Sequence, residues 1–177
     1  VLALNTELGL YAGILHIISH LLLKITLFIS VGYILQFTDG HHMADFMGVA
    51  YKNHKIFIVF IVAAMGLVGL PPLPGFISKF YILQGFIEKG MYLVAFIIIL
   101  SSIISFLYYL RYIFWGYNTG KRKVKKVEGR ESLLSNFYRE KVVTIVIYIF
   151  MFLSVITGFS FLWYNKLMIF TIDIFGG

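Results

Sequence analysis

The chain contains no cysteine, which excludes disulfides, thiolate metal sites and cysteine-ligated redox centres. No glycine-rich nucleotide-binding loop is present, so no redox cofactor is expected on this chain. Charge is scarce as well. Only 13% of the residues are charged and only 8 of 177 are acidic, too little for a soluble globule of this length. Proline is rarer still, with 3 residues, all between Pro71 and Pro74. What is there instead is apolar: 60% hydrophobic residues, 18 Phe, 12 Tyr and a mean hydropathy of +0.89. The class these values define is an all-α, multi-pass membrane protein whose first partner is the lipid bilayer.

The formal net charge of +7 could suggest nucleic acid, but the basic residues are clustered rather than spread. Lys121, Arg122, Lys123, Lys125 and Lys126 form a single run, which reads as a topogenic loop near anionic headgroups. No nucleic-acid partner is expected. The opening segment, a Val followed by apolar residues, lacks the charged region and cleavage site of a signal peptide.

Hydropathy predicts four spans in one transmembrane domain, at about 8–37, 56–86, 92–115 and 142–163, with no internal repeat. The first exceeds the ~20 residues a bilayer needs and so must tilt or extend beyond it. The second contains GLVGLPPLPGFISK and is predicted to break at 70–75. Pro71, Pro72 and Pro74 remove backbone donors there, and Gly75 adds local freedom. At 1.5 Å per residue the two halves cover only about 22 and 16 Å, so they cross together as one discontinuous span. Broken spans of this kind mark ion sites, because freed backbone groups need partners at depth.

With each span crossing once, loops 38–55 and 117–141 share a face and hold most of the basic residues, whereas the other face has only Lys89 and Lys166. The positive-inside rule places loop 117–141 in the cytoplasm and the C-terminus outside the cell membrane. Arg111 and Trp115 read as interfacial anchors, and His41, His42 and His54 as solvated loop residues.

Few ionisable residues remain at depth: His16, His20, Lys24 and Lys79. Spaced by four, the first three lie along one helical face and drift by about 40° per step. A buried Lys costs about 2.5 to 3.5 kcal/mol on insertion scales, so such residues usually face a bundle interior or an ion route. Ser19, Thr26 and Ser30 broaden the polar side into a stripe that could order water. Lys79 lies about one turn into the second half-helix, where the dipole's positive end and burial both disfavour an ammonium. Imidazoles and a destabilised ammonium exchange protons readily, which makes these four a candidate proton relay. Competing readings are a metal site, a snorkelling Lys24 and interhelical structural bonding. The first lacks an acidic third ligand and has Lys24 to repel a cation, so no metal is expected. The second places Lys24 too far from either end of its span. The third leaves open a scaffold without an ion path of its own.

The pair HIISHLLLKITLFISVGYIL and GLVGLPPLPGFISKFYIL resembles the C-terminal part of the antiporter-like subunits shared by respiratory complex I, Mrp-type cation/proton antiporters and membrane-bound hydrogenase complexes. The resemblance covers nearly the whole chain. It implies a fourteen-span subunit with two inverted repeats, of which this chain supplies the last four spans. By position, His16, His20 and Lys24 resemble the central hydrophilic axis on the eleventh helix of that family. Lys79 resembles the basic residue on the broken twelfth helix that passes protons outward, a place where some relatives carry Glu. Phe80 stands where some relatives have an acidic residue. The resemblance implies partners too: other membrane subunits, a chain or segment holding the missing N-terminal half-channel, and peripheral redox subunits in a respiratory or hydrogenase complex. Which complex applies, and whether sodium is exchanged, stay open at this point.

Overall fold

A computed structural model describes residues 7–35, 46–118, 141 and 144–156, and all regular structure among them is helical. The helices are α1 (Glu7–Leu35), α2 (Val49–Lys52), α3 (His54–Val68), α4 (Pro74–Glu88), α5 (Tyr92–Tyr117) and α6 (Thr144–Ile156). Two of them are long and apolar enough to cross a membrane, α1 through its Ala12–Leu35 stretch and α5 over its whole length. The predicted first span is helical through Leu35, and residues 36–37 lie outside the described residues. The third runs on to Tyr117 rather than stopping at Trp115. Of the fourth, 144–156 is helical, and the remainder, like loop residues 119–140 and His41 and His42, lies outside the described residues.

α1 packs against α3 and α4, and α5 lies across α2, α3 and α4. The buried face of α1 runs Ala12, Ser19, Leu23, Thr26, Leu27, Ser30, Tyr33 and Ile34, a stripe that keeps one side of the helix turned inward. Small hydroxylated residues on that side let helices approach closely. Their hydroxyls are already committed: Ser19 donates to Leu15 O at 2.7 Å, Thr26 to Leu22 O at 2.8 Å and Ser30 to Thr26 O at 2.5 Å. The expected open polar stripe is thus a buried seam bonded to its own helix. Leu23, Leu27, Tyr33 and Ile34 join Phe57, Phe60 and Ile147 in the main core, while Ala12 packs in a second cluster with Ile82, Phe86 and Ala95. Most of α3 is buried, whereas in α5 only Ala95 and Gly116 are, so a broad apolar face carrying Leu93, Phe96, Ile103 and Leu107 is left exposed.

The region read as a polar loop before the second span is partly structural. Phe46, Val49 and Ala50 are buried around the single turn of α2, and Phe46 meets Phe60 and Tyr112 at ring distances of 5.7 Å each. Among its described residues Tyr51, His54 and Lys55 are exposed, the last two at the start of α3. At the same end of α5, Arg111 lies over the Trp115 ring at 5.9 Å, a cation–π pair one turn apart.

The proline-rich interruption is present but shifted. α3 ends at Val68 and α4 starts at Pro74, so the break runs from Gly69 to Leu73 rather than 70–75. Gly69 stops α3 with φ 97°, and the Leu70 amide reaches back to Met65 O at 3.1 Å, closing the turn as a left-handed cap does. Pro71 and Pro72 occupy the exposed turn. Leu73 is extended, as a residue before proline must be, and Pro74 begins α4 where its missing N–H has no partner to lose. Pro74 and Gly75 therefore belong to the first turn of α4 and not to the hinge. Gly75 has a different role from the freedom expected of it. A Cβ there would collide with the backbone carbonyl of Gly66, so the bare backbone lets the two half-helices touch.

Candidate functional site

The break creates the site. A helix that ends at Val68 leaves its last carbonyls without intrahelical donors, and these form the negative end of its dipole. Lys79, one turn into α4, folds back onto them: Nζ donates to Leu67 O at 2.9 Å and to Val68 O at 2.8 Å. Its third donor goes to Ser102 Oγ of α5 at 3.1 Å. Ser102 passes its own proton to Ile98 O at 3.2 Å, so its oxygen is available to accept. All three hydrogens of the ammonium are placed.

This changes the electrostatic expectation. The dipole of α4 alone disfavours a cation near its start, but the C-terminal end of α3 supplies the compensating negative potential. The path of the side chain is fitted as well. A Cβ on Gly69 would lie 3.1 Å from Lys79 Cδ, so the glycine that ends α3 also clears the lysine stem.

His16 of α1 reaches the same half-helix. Its Nδ1 is 3.0 Å from Ser78 Oγ, the residue before Lys79, and Ser78 in turn donates to Gly75 O at 3.2 Å. Ser78 is fully buried. His20 is the next member, its ring centre 5.3 Å from that of His16. Lys24 itself is exposed. The helical drift accounts for this: from His16 to Lys24 it amounts to about 80°, enough to carry the last member off the packed face.

Three of the four sequence-predicted residues are therefore gathered around the break, and Lys24 stands apart on the open side of α1. Ser78 and Ser102 were missed. Ser78 carried a signal in its place beside Lys79. Ser102 carried only the weak one of a polar residue in an apolar span, because its partner is 23 residues away. The arrangement can hold a cation on two backbone carbonyls and a serine of α5, and beside it a second serine of α4 ties the half-helix to an imidazole of α1.

Comparison with known proteins gives a consistent result. The family model described as NADH:quinone oxidoreductase/Mrp antiporter, TM, matches residues 1–105. The NADH-quinone oxidoreductase subunit N of Desulforudis audaxviator (strain MP104C) is 36% identical over 112 residues, covering 63% of this chain and 22% of that protein. Its counterpart of the same name from Pelagibacter ubique (strain HTCC1062) is 33% identical over 115 residues, 63% of this chain and 24% of its own length. A Na(+)/H(+) antiporter subunit from Bacillus subtilis (strain 168) is 27% identical over 164 residues, 91% of this chain and 31% of that protein. The chain thus spans about a fifth to a third of the length of the curated relatives it matches. With more than half of its residues matched by one family model, and with relatives on both branches, the chain belongs to the membrane-embedded antiporter-like subunits of the NADH:quinone oxidoreductase/Mrp antiporter family.

Proposed function

We propose that this chain forms the C-terminal half-channel of a proton-translocating subunit in a multisubunit ion-pumping complex. Protons move along His16, His20 and Lys24 to Lys79 and then outward. In this reading α3 and α4 cross the bilayer once as a discontinuous span, giving four spans in all. Loop 117–141 is cytoplasmic and the C-terminus external. The missing N-terminal half-channel comes from another chain or segment, and the driving reaction from partner subunits, redox proteins among them in a respiratory or hydrogenase complex. The names of the relatives, an NADH-quinone oxidoreductase subunit and a Na(+)/H(+) antiporter subunit, keep both a redox-driven pump and sodium exchange in view.

The observation that carries this reading is the seat of Lys79. An ammonium held by Leu67 O, Val68 O and Ser102 Oγ is a stable station for a proton. Losing the proton leaves two hydrogens for three acceptors, so one acceptor goes without a donor and the station refills readily. The same observation favours a second reading, a structural pin whose charge caps α3 and moves no proton.

The substitution Lys79→Arg separates them. Arginine stays charged under all physiological conditions and can cap carbonyls, but it cannot release a proton. In vesicles containing the assembled complex, the relay reading expects Lys79→Arg and Lys79→Ala both to lose coupled proton movement by tenfold or more, with subunits still co-purifying in the Arg variant. Lys24→Ala is expected to lose it as well. Normal pumping by Lys79→Arg supports the structural pin, and normal pumping by Lys79→Ala and Lys24→Ala together overturns the relay.

A further inference from the structure

The contact between His16 and Ser78 has a direction. Ser78 Oγ lies 3.2 Å from Gly75 O and 3.0 Å from His16 Nδ1. A hydroxyl has one proton and two lone pairs, and a carbonyl oxygen has no proton to give. The bond to Gly75 therefore takes the serine proton, and this back-bond to a carbonyl one turn earlier is a familiar serine habit in helices. What Ser78 then presents to His16 is a lone pair. With both contacts made at once, the hydrogen between Ser78 and His16 lies on Nδ1.

We propose that Ser78 is a positioning residue that holds His16 with its hydrogen on Nδ1, so that Nε2 is the nitrogen that takes up and releases protons. In a neutral imidazole only one nitrogen carries hydrogen, and the bond made by one sets the task of the other. With Nδ1–H committed to Ser78, the lone pair lies on Nε2. When Nε2 gains a proton the ring becomes an imidazolium, and Nδ1–H still donates to Ser78. The link between α1 and α4 survives in both states. Were the bond reversed, with Ser78 donating to Nδ1, Nε2 would already hold its hydrogen, and protonating the ring at Nδ1 would require the serine hydroxyl to turn away before the link could re-form. Ser78 thus separates the structural nitrogen from the exchanging one, and full burial keeps water from competing for its oxygen.

This inference rests on the relay reading for its consequence but not for its geometry, and the two can fail separately. The test is solid-state NMR of the assembled complex labelled with ¹³C,¹⁵N-histidine, with the His16 signals identified by their loss in His16→Asn. The expected wild-type spectrum at a pH where the ring is neutral shows the Nδ1–H tautomer, and Ser78→Ala shifts it toward Nε2–H. Proton movement in Ser78→Ala is expected to fall several-fold and to recover in Ser78→Thr, which restores the hydroxyl. An Nε2–H tautomer in the wild type, or a His16 spectrum unchanged by Ser78→Ala, overturns the proposal. If Ser78→Ala does not assemble, the wild-type spectrum alone decides. His16→Asn pumping at the wild-type rate would instead overturn the part His16 plays in the relay while leaving the tautomer assignment intact.

Discussion

The two lysines at membrane depth are held in opposite ways. Lys79 is built in: two carbonyls from α3, a serine from α5 and a glycine that clears its stem all come from this chain. Lys24, on α1, is exposed, near the middle of a stretch long enough to span a bilayer. An ammonium left against lipid there costs about 2.5 to 3.5 kcal/mol, and a lysine stem is too short to reach either surface from mid-span. Among the described residues one site is closed by its own neighbours and the other is left open.

The strongest way to break the comparison is to destroy the seat of Lys79 without touching the lysine. Gly75→Ala drives a Cβ into the Gly66 carbonyl, a backbone atom that no rotamer change can move aside. The expected cost is on the order of 3 kcal/mol or more, at the top of the range for overpacking. The thermal-inactivation midpoint of the purified complex should drop sharply, and an unchanged midpoint would mean that the half-helices do not touch. A smaller effect is expected of Gly69→Ala. Its φ of 97° is a left-handed conformation that costs an L-residue about 1 to 2 kcal/mol, and the new methyl also presses on Lys79. The same measurement should show a partial drop, accompanied by impaired proton movement.

These two glycines show how far the sequence could be read. The clustered prolines and glycines announced a break, and its existence follows from backbone chemistry alone. Its limits did not follow. Pro74 looks like a helix breaker in a string of letters, yet at the first helical position it costs nothing, so α4 starts two residues before Phe76. The ionisable residues were legible because charge in an apolar segment is conspicuous. Their partners were not, because Leu67 and Val68 contribute only carbonyls and carbonyls are the same in every residue. The hydroxyls of Ser19, Thr26 and Ser30 looked like a wet stripe, and only packing reveals that they bond back to their own helix.

Ser102→Ala sharpens the comparison more gently. It removes one of the three acceptors around the Lys79 ammonium and leaves both carbonyls in place. The expected loss is about 1 kcal/mol, the net value of one ordinary hydrogen bond. Proton movement should slow by severalfold at most, because the cation keeps its stronger partners. A loss as large as that of Lys79→Ala would show instead that Ser102 passes the proton on.

The smallest structural effect is expected where the charge is barest. Lys24→Met keeps the length and flexibility of the side chain and removes an ammonium that is exposed. Because the ammonium is itself a cost against lipid, its removal should not lower the thermal stability of this chain. If a neighbouring segment covers Lys24 in the complete complex, the two measurements must part company. Stability of this chain alone would not fall, while proton movement in vesicles would be lost and the neighbour's binding altered. A Lys24→Met complex that pumps and assembles normally would leave Lys24 without a role and would shorten the relay to the residues gathered at the break.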